Sequence, residues 1–509
     1  MPCIGVPLPA DVGMSALPIC LFEGSYTTLL KNSLIHNGGG TAGLVSAAGA
    51  ASLGARVALV ERDKLGGDCL YYGCVPTKTL VKSARVAHLM GRSEEYGIKS
   101  PGHEVDFPAV MDRMDRVIRI AGEHDDPARF RRMGVDVLLG EEAGFVSPEE
   151  VSVDGRRLGA RSVILATGSH SITPPVDGLQ EVGYLTNVEA LRLRRLPRSI
   201  TIVGSGPIGS EFAQIFARFG SKVTLVSSSS LPLPKEDAEV GEVVKHVLLA
   251  DGVTFHGGYK AEGARTESGE KVLTVRNERG EKIEARGEEI LIAAGRAPTA
   301  GALGLENAGI ELQEKGLRVD GHLRTTAPNV YAAGDITGKY LFTHVAEYQG
   351  RIALRNALFP LKTTADHRVV PWTTFTDPEV ARVGMTEDEA RKEHGDDVRV
   401  FRQPFEGVDR AIADGETSGF VKIVTAKRGK ILGGHIVGPD AGNLIHEIDL
   451  AMQKNVPIQA LSTMIHVYPT LSQANQRAAD NYYREKLFTE RTRKAFSAFF
   501  GAKRLLGRG

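Results

Sequence analysis

Hydrophobic and polar residues follow one another along the chain in blocks that predict strands, tight turns and helices. The clearest block, "RSITIVGSGPIGSEFAQIFARFGSKVTLV", begins with a short apolar run that predicts a buried strand. A glycine-rich turn, an amphipathic stretch of helical length and a second apolar run follow. A second block, "GGGTAGLVSAAGAASLGARVALVERD", repeats the order from the turn onward. The pattern therefore predicts an α/β protein that contains two similar units.

Both blocks have glycines in the G-x-G-x-x-G spacing, which suits the binding of a dinucleotide. The glycines concerned are Gly38, Gly40 and Gly43 in the first block and Gly204, Gly206 and Gly209 in the second. This spacing permits a tight turn, a close approach of the backbone to a pyrophosphate and close packing of helix on sheet. Two Rossmann-like units in one chain predict two bound dinucleotides, or electron transfer between them.

The residue that ends the second strand of each unit is placed to contact the ribose of a bound dinucleotide, so its chemistry indicates which ribose is preferred. Glu61 closes the first unit's strand, where a carboxylate can accept hydrogen bonds from an adenosine ribose. The second unit has the run Ser227–Ser230 instead, without an acid to repel a 2′-phosphate. That run permits NADP, but no arginine is present to select it over NAD. The alternative interpretation is a solvated polar turn that contacts no ribose.

The strand expected before the first glycine turn is unusually polar. Its stretch, "TTLLKNSLIHN", contains Lys31, Asn32 and His36 where a buried strand should be apolar. Two explanations stay open: the strand is weak, or the extreme N-terminus is not the native start. We assign no function to residues 1–33.

A third stretch, "LRTTAPNVYAAGDITG", places Gly334 and Asp335 at the carboxyl end of a short predicted strand. A carboxylate there can bind nucleotide sugar hydroxyls; an ordinary turn aspartate is the alternative. Its position after the second unit predicts that the chain returns to the first. The piece that begins at about residue 366 has no phosphate loop, so we favour a packing or dimerisation domain there over a further catalytic domain. The predicted ranges are 34–175 with 300–365 (first nucleotide domain), 176–299 (second nucleotide domain), 366–482 (C-terminal domain) and 483–509 (basic tail).

Composition excludes several classes of protein. A chain of 509 residues predicts two to four domains. Lys and Arg together number 62, as do Asp and Glu, so no overall field attracts nucleic acid. Four cysteines are too few for a disulfide-stabilised secreted scaffold. The start lacks a basic region before an apolar one, and no stretch reaches eighteen apolar residues, so we expect a cytoplasmic protein without a membrane span.

Two of the four cysteines lie close together in "GGDCLYYGCVPTK", at Cys69 and Cys74. Zinc would need two further ligands at matched spacing, and none is offered nearby. A disulfide closing so short a loop would stabilise little beyond its surroundings. Lys78 follows Cys74 by one helical turn, and a cation there favours the reactive thiolate. The stretch therefore predicts a redox-active pair.

This cysteine motif, together with two dinucleotide units, "ILATG", "AAGD" and "HVYPT", resembles the class I pyridine nucleotide-disulfide oxidoreductases. The resemblance covers about residues 34–480. It implies an α/β fold with the second nucleotide domain inserted in the first, FAD in the first, NADP or NAD in the second, and a homodimer formed by a C-terminal α+β domain.

The resemblance also implies roles for individual residues. Cys74 would be the charge-transfer thiol beside the flavin, and Cys69 the interchange thiol facing substrate. Lys78 would lie near the flavin, paired with Glu211. Asp335 would hold the ribityl and phosphate region of FAD. The cofactor-binding residues further include Gly168 and Gly295.

The chain departs from this family pattern at the acid-base pair. Disulfide-reducing members have a histidine, with a glutamate five residues later, donated across the dimer. Here "IHVYPTLSQANQ" has Tyr468 and Gln473 at those positions. A free tyrosine titrates near ~10, so Tyr468 is a poor base at neutral pH. His466 could substitute, although we favour a packing role for it.

The departure leaves the electron acceptor open. No cysteine follows Cys74, which argues against a true mercuric reductase. We expect a small acceptor, such as a quinone, a metal ion or a disulfide, and no bound metal. The alternatives are a dihydrolipoamide dehydrogenase that uses His466, and a flavin-containing redox sensor. The basic tail, "LFTERTRKAFSAFFGAKRLLGRG", permits peripheral membrane contact, although a solvated helix is the simpler interpretation.

Overall fold

The computed structural model describes the backbone of residues 30–505 and the side chains of residues 34–504. Most of the N-terminal segment, 1–33, lies outside the described residues, as do Cys3 and Cys20. Within 30–505, none of the helices has the length and apolar character that crossing a bilayer requires.

The first unit is a mixed seven-stranded sheet flanked by helices. Its parallel part has the order β3-β2-β1-β6, and β5 and β4 extend it with antiparallel strands. The strands are β1 (Leu30–Asn37), β2 (Val57–Glu61), β3 (Val135–Leu139), β4 (Ala143–Ser147), β5 (Glu150–Val153) and β6 (Arg156–Leu165). The helices are α1 (Thr41–Ser52), α2 (Gly67–Tyr71), α3 (Cys74–Gly91), α4 (Phe107–Gly122) and α5 (Pro127–Arg132).

The polar stretch before the first glycine turn forms the central strand β1, between β2 and β6. Two of its buried polar side chains form hydrogen bonds: His36 Nδ1 lies 2.8 Å from the Ser46 hydroxyl, and Asn37 donates to the Ala143 carbonyl. His36 Nε2 is buried without a partner among the described residues. Burial lowers the pKa of His36 to about 3, so the ring is neutral. The strand therefore forms despite its composition, because the His36 ring is uncharged and His36 and Asn37 each form a hydrogen bond.

The second unit repeats the strand–helix–strand order in a four-stranded parallel sheet, β10-β9-β8-β14. A three-stranded antiparallel sheet, β11-β12-β13, adjoins it. The strands are β8 (Ser199–Val203), β9 (Lys222–Ser227), β10 (Thr254–Gly257), β11 (Tyr259–Glu267), β12 (Glu270–Asn277), β13 (Lys282–Gly287) and β14 (Glu289–Ile292). The helices are α6 (Leu179–Val182), α7 (Asn187–Ala190), α8 (Pro207–Phe219) and α9 (Ala238–Ala250).

The second unit is inserted in the first, as predicted. The chain leaves and returns through an antiparallel pair, β7 (Ser169–Ser171) and β15 (Arg296–Pro298). Beyond the short hairpin of β16 (Leu312–Gln313) and β17 (Gly316–Leu317), strand β18 (Val330–Ala332) pairs in parallel with β6 of the first sheet. Helix α10 (Thr343–Leu358) then packs against α1. The residue boundaries of the domains stay predictions.

The C-terminal unit is a five-stranded antiparallel sheet, β19-β20-β23-β22-β21, covered by helices. Its strands are β19 (Pro371–Thr374), β20 (Glu379–Gly384), β21 (Arg399–Pro404), β22 (Phe420–Thr425) and β23 (Ile431–Gly438). Its helices are α11 (Glu387–His394), α12 (Asp409–Asp414), α13 (Ala441–Gln453), α14 (Ile458–Thr463), α15 (Gln473–Leu487) and α16 (Glu490–Leu505).

A buried cluster of charges joins the second unit to the C-terminal sheet. Glu236 and Asp237, on the loop that follows β9, lie 3.1 and 3.2 Å from the two nitrogens of the fully buried His435. Asp237 also pairs with Lys422 at 2.8 Å, and Glu236 accepts a hydrogen bond from the Trp372 indole. We call these five residues the interdomain cluster.

The interdomain cluster is strongest at intermediate pH. Burial alone would lower the pKa of His435, but hydrogen bonds to Asp237 and Glu236 outweigh burial and raise it. Burial would raise the pKa of Asp237 and Glu236, yet their bonds to His435 lower it. The stabilisation from the imidazolium is full at low pH and disappears as pH rises through the raised pKa of His435. That from the carboxylates disappears as pH falls through their lowered pKa values.

Candidate active site

The first glycine turn forms a cradle for a phosphate group. Gly38 has φ +113°, and a Cβ there would lie 2.2 Å from the Ala166 carbonyl oxygen. A Cβ on Gly43 would lie 1.8 Å from the Gly38 carbonyl oxygen, which is where α1 packs on the sheet. Gly40, immediately before α1, faces open space. The turn therefore leaves open space at the start of α1, where backbone N–H groups suit the binding of a pyrophosphate.

The second glycine turn has the same construction. A Cβ on Gly204 would clash with the Ala293 carbonyl oxygen, and one on Gly209 with that of Gly204. Gly206, immediately before α8, again faces open space. The two turns thus fit the pyrophosphates of two dinucleotides.

The residue that closes the second strand contacts the glycine turn in both units. Glu61 accepts hydrogen bonds from Gly39 N at 2.7 Å and from Asp63 N at 2.8 Å. The buried Ser227 hydroxyl lies 2.7 Å from that of Ser205 and accepts from Ser229 N at 3.1 Å. Ser227 therefore takes the place of Glu61, with a neutral hydroxyl in place of a carboxylate.

Asp335 lies next to the strand pair that connects the two units. Ser169 donates to its carboxylate at 2.6 Å, and Arg296 donates to the same serine hydroxyl at 2.8 Å. Burial raises the pKa of Asp335. Arg296 also lies 3.2 Å from the carboxylate of Asp68, the residue before Cys69. Asp335 is therefore linked to the cysteine segment through side chains that sequence reasoning did not select.

The remaining predicted glycines lie around this connection. Gly168 immediately precedes β7, and Gly295 immediately precedes β15. Gly334 N donates to the Gln349 side chain at 2.7 Å, which fixes the turn before Asp335 to helix α10. Gly168 and Gly295 thus lie at the connection between the two nucleotide units, and Gly334 lies in the first unit, immediately before Asp335.

The two cysteines lie together as free thiols, one in α2 and the other at the first position of α3. A hydrogen bond from Cys69 is the largest of the effects that lower the pKa of Cys74 to about 6; Thr343 and the charge of Lys78 add to it. The same bond, with burial, raises the pKa of Cys69. These contacts therefore favour the thiolate form of Cys74 and the protonated form of Cys69 in the reduced pair.

Lys78 and Glu211 form the predicted ion pair. Lys78 Nζ lies 3.0 and 2.8 Å from the two carboxylate oxygens of Glu211, which is buried on helix α8. Glu211 also accepts from Phe375 N at 2.9 Å, and the ammonium lies 4.6 Å from the centre of the Phe375 ring. The pair, with Phe375, connects the first, second and C-terminal units one helical turn after Cys74 on α3.

Thr343 is the contact that sequence reasoning missed. Its hydroxyl lies 3.4 Å from Cys74 Sγ, where it acts as a donor that stabilises the thiolate. Phe342 beside it stacks on Trp372, with ring centroids 5.8 Å apart, and on His344 at 5.4 Å. The first position of α10 therefore completes the surroundings of Cys74, and no local sequence signal marks this threonine.

Replacing Lys78 and replacing Glu211 should shift the pKa of Cys74 in opposite directions. Lys78→Met removes a cation that lowers the pKa of Cys74, so this pKa should rise from about 6. Glu211→Gln removes an anion that raises the same pKa, so the pKa should fall. The pH dependence of alkylation at Cys74 measures both. Lys82→Met, an exposed cation one turn along α3, is the matched control. Shifts of equal sign in the two variants would contradict this electrostatic account.

The C-terminal candidate residues differ in their exposure. Tyr468 is 65% exposed, and Ile465 and Val467, shortly before it in the chain, are 96% and 74% exposed. His466 is turned inward: its nitrogens lie 2.8 Å from Glu447 Oε1 and 3.1 Å from the Met464 carbonyl oxygen. These contacts agree with a packing role for His466, and they leave Tyr468 as the outward-facing group.

Gln473 begins helix α15, five residues after Tyr468. Its side-chain oxygen is buried and accepts no hydrogen bond from the described residues. In the same range, 30–505, no group of three or more metal-ligating side chains is arranged to hold an ion.

The family comparisons agree with this site. Residues 38–350 match the pyridine nucleotide-disulphide oxidoreductase family, and residues 370–479 match its dimerisation domain. A mercuric reductase from Bacillus cereus is 36% identical over 89% of this chain and 71% of its own. A dihydrolipoyl dehydrogenase from Chlorobaculum tepidum is 36% identical over 87% of this chain and 95% of its own.

Solved structures show the same relationship. The HOCl-induced flavoprotein disulfide reductase RclA from Escherichia coli is 30% identical, with a TM-score of 0.78 over 88% of this chain and 98% of its own. Its Cu(II) complex gives a TM-score of 0.79 at 29% identity, over 89% of this chain and 99% of that one. With the cysteine pair and the two cradles, these matches establish that the chain belongs to the pyridine nucleotide-disulphide oxidoreductases, and is an FAD-dependent NAD(P)H oxidoreductase.

Proposed function

We propose that this enzyme passes electrons from NADPH or NADH, through Cys69 and Cys74, to a small acceptor that needs no thiol–disulfide exchange, such as a quinone or a metal ion. The observation that carries the proposal is the exposed Tyr468, with Gln473 after it, where an acid-base pair is expected. The relatives named mercuric reductase and the Cu(II) complex of RclA support metal ions as one acceptor class.

The residues around the cysteines would prepare the pair for this reaction. Bound FAD would supply two-electron transfer between the nicotinamide and the disulfide form of the pair. Lys78 and Thr343 would hold Cys74 as a thiolate, and Cys69, the protonated partner, would face the acceptor. Glu211 would keep the Lys78 ammonium in position.

The proposed active site is completed by a second copy of the chain. Ile465, Val467 and Tyr468 form an exposed, largely apolar run, within the range that matches a dimerisation domain. Burial of this run against a second subunit would remove it from water. We propose a homodimer in which Tyr468 of one subunit orients the acceptor near Cys69 of the other.

A turnover screen tests the proposed function. The purified holoenzyme is supplied with NADPH or NADH and with lipoamide, glutathione disulfide, a benzoquinone, Hg²⁺ or Cu²⁺. We expect kcat/KM for the quinone or a metal ion to exceed that for both disulfides by about 10²-fold or more. Vigorous lipoamide reduction would contradict the proposal, and reduction of the flavin without turnover would favour a redox sensor.

The enzyme should use NADPH at least as readily as NADH, because Ser227 carries no negative charge that would repel a 2′-phosphate. Ser227→Glu would recreate the bonds that Glu61 makes in the first unit, and should shift preference toward NADH by about tenfold or more. The ratio of kcat/KM for the two coenzymes measures the shift. Ser230→Glu places the charge farther along the same loop and should shift it less. A strong native preference for NADH, unchanged in Ser227→Glu, would exclude Ser227 as the selecting residue.

A further inference from the structure

Helix α16 at the C-terminus carries an aromatic face that nothing in the described chain covers. Phe496, Phe499 and Phe500 are 51%, 61% and 54% exposed. Their spacing places them on one side of the helix, where the Phe500 ring lies 6.2 Å from that of Phe496 and 5.6 Å from that of Phe499. Every side chain from Arg493 to Arg504 is exposed. The apolar side of the helix is therefore exposed as far as the described residues show.

Positive charge surrounds this aromatic face. The helix has one acidic residue, Glu490, and five basic ones: Arg491, Arg493, Lys494, Lys503 and Arg504. The chain as a whole has equal numbers of acidic and basic residues, so this concentration is local. Arg504 lies one turn beyond Phe500, and Arg493 two turns before it, on the same side of the helix. An occupant of this face must accept three aromatic rings and offer negative charge at their edge.

We infer that α16 docks on an anionic lipid surface. An isolated helix of this length is marginal in water, so covering its apolar face would also stabilise the helix itself. A bilayer interface buries aromatic side chains to a shallow depth, while its anionic headgroups pair with the flanking cations. A second copy of α16 would instead bring two basic helices together. This inference does not depend on the acceptor proposed above.

Vesicle co-sedimentation of the FAD-loaded enzyme tests the inference. With vesicles of phosphatidylglycerol and phosphatidylcholine at low salt we expect binding, with at least about tenfold weaker binding to phosphatidylcholine alone or at high salt. The triple variant Phe496→Ser/Phe499→Ser/Phe500→Ser should lose at least about tenfold in binding. Its FAD content and its oxidation of NADPH by a soluble acceptor should stay unchanged.

A charge variant separates the two contributions. Arg493→Gln/Lys494→Gln/Arg504→Gln should weaken binding to anionic vesicles by about 10²-fold. Arg157→Gln/Arg198→Gln/Arg368→Gln, which removes three exposed cations elsewhere, should leave it unchanged.

Several outcomes would overturn the inference. One is equal binding to neutral and anionic vesicles, and another is the absence of binding to both. Unaltered binding of the phenylalanine variant would exclude α16 as the contact. Dissociation of that variant into monomers without vesicles would show that a second copy covers the face, and binding to a protein partner in place of lipid would likewise contradict the inference.

Discussion

Cys74→Ser is expected to abolish the long-wavelength absorption band that two-electron reduction of the holoenzyme produces. We assign that band to a thiolate in contact with the flavin, and Cys74 is the cysteine whose pKa is lowered, to about 6. Lipoamide turnover, weak at the outset, should fall to background, because Cys69 then has no partner thiolate with which to form the disulfide that accepts electrons from the flavin.

Cys69→Ser should show the same band before any reductant is added. Cys74 is then unable to form a disulfide, and the new serine hydroxyl can still donate to its sulfur as the Cys69 thiol does. Absorption spectra of the two variants, recorded anaerobically with and without NADPH, give the comparison. The double variant, which should show no band, is the control. A band that persists in Cys74→Ser would make Cys69 the thiol beside the flavin.

Restoring the acid-base pair that other members of the family have should greatly increase the reduction of disulfide substrates. Tyr468→His with Gln473→Glu should raise kcat/KM for lipoamide or glutathione disulfide by about 10²–10⁴-fold. Disulfide reduction needs a proton for the leaving thiolate and removal of one from the attacking thiol, and an imidazole titrates in the right range. The gain should follow a pH dependence near ~6.5 that the wild type lacks.

Single variants show whether the two residues act together. Gln473→Glu alone places a carboxylate where the glutamine oxygen is buried without a partner, so we expect it to lower stability and to add no activity. Tyr468→His alone should give a smaller gain than the pair. His466→Ala should leave turnover unchanged, because both of its nitrogens are used within the chain. Strong wild-type lipoamide reduction that is lost in His466→Ala would make His466 the base.

Features that depend on local chain geometry could be predicted from the sequence. The spacing of Gly38, Gly40 and Gly43 predicts a turn whose steric reasons the structure supplies, since the first and third positions have no room for a Cβ. The neighbourhood of Cys74 and Lys78 follows from one helical turn. These predictions needed only residues that are close in sequence.

Features that join distant segments were not predictable in the same way. Thr343 lies 269 residues from the Cys74 that it contacts, and a threonine at the start of a helix has no distinctive signal. The polar composition of β1 left open whether the strand is weak or the N-terminus is not native, because Ser46 and Ala143, which bond to His36 and Asn37, belong to other elements. Burial and pairing in the folded chain decided both cases.

The interdomain cluster has a consequence for how the enzyme moves. Separating the second unit from the C-terminal sheet would break the bonds of His435, Asp237 and Lys422, whose charges are buried together. A wide hinge opening between these units is therefore costly, and the loop that begins at Ser227 is held at its far end. Coenzyme would enter a largely preorganised cleft, with motion confined to short surface loops, rather than trigger the closure of one domain over another.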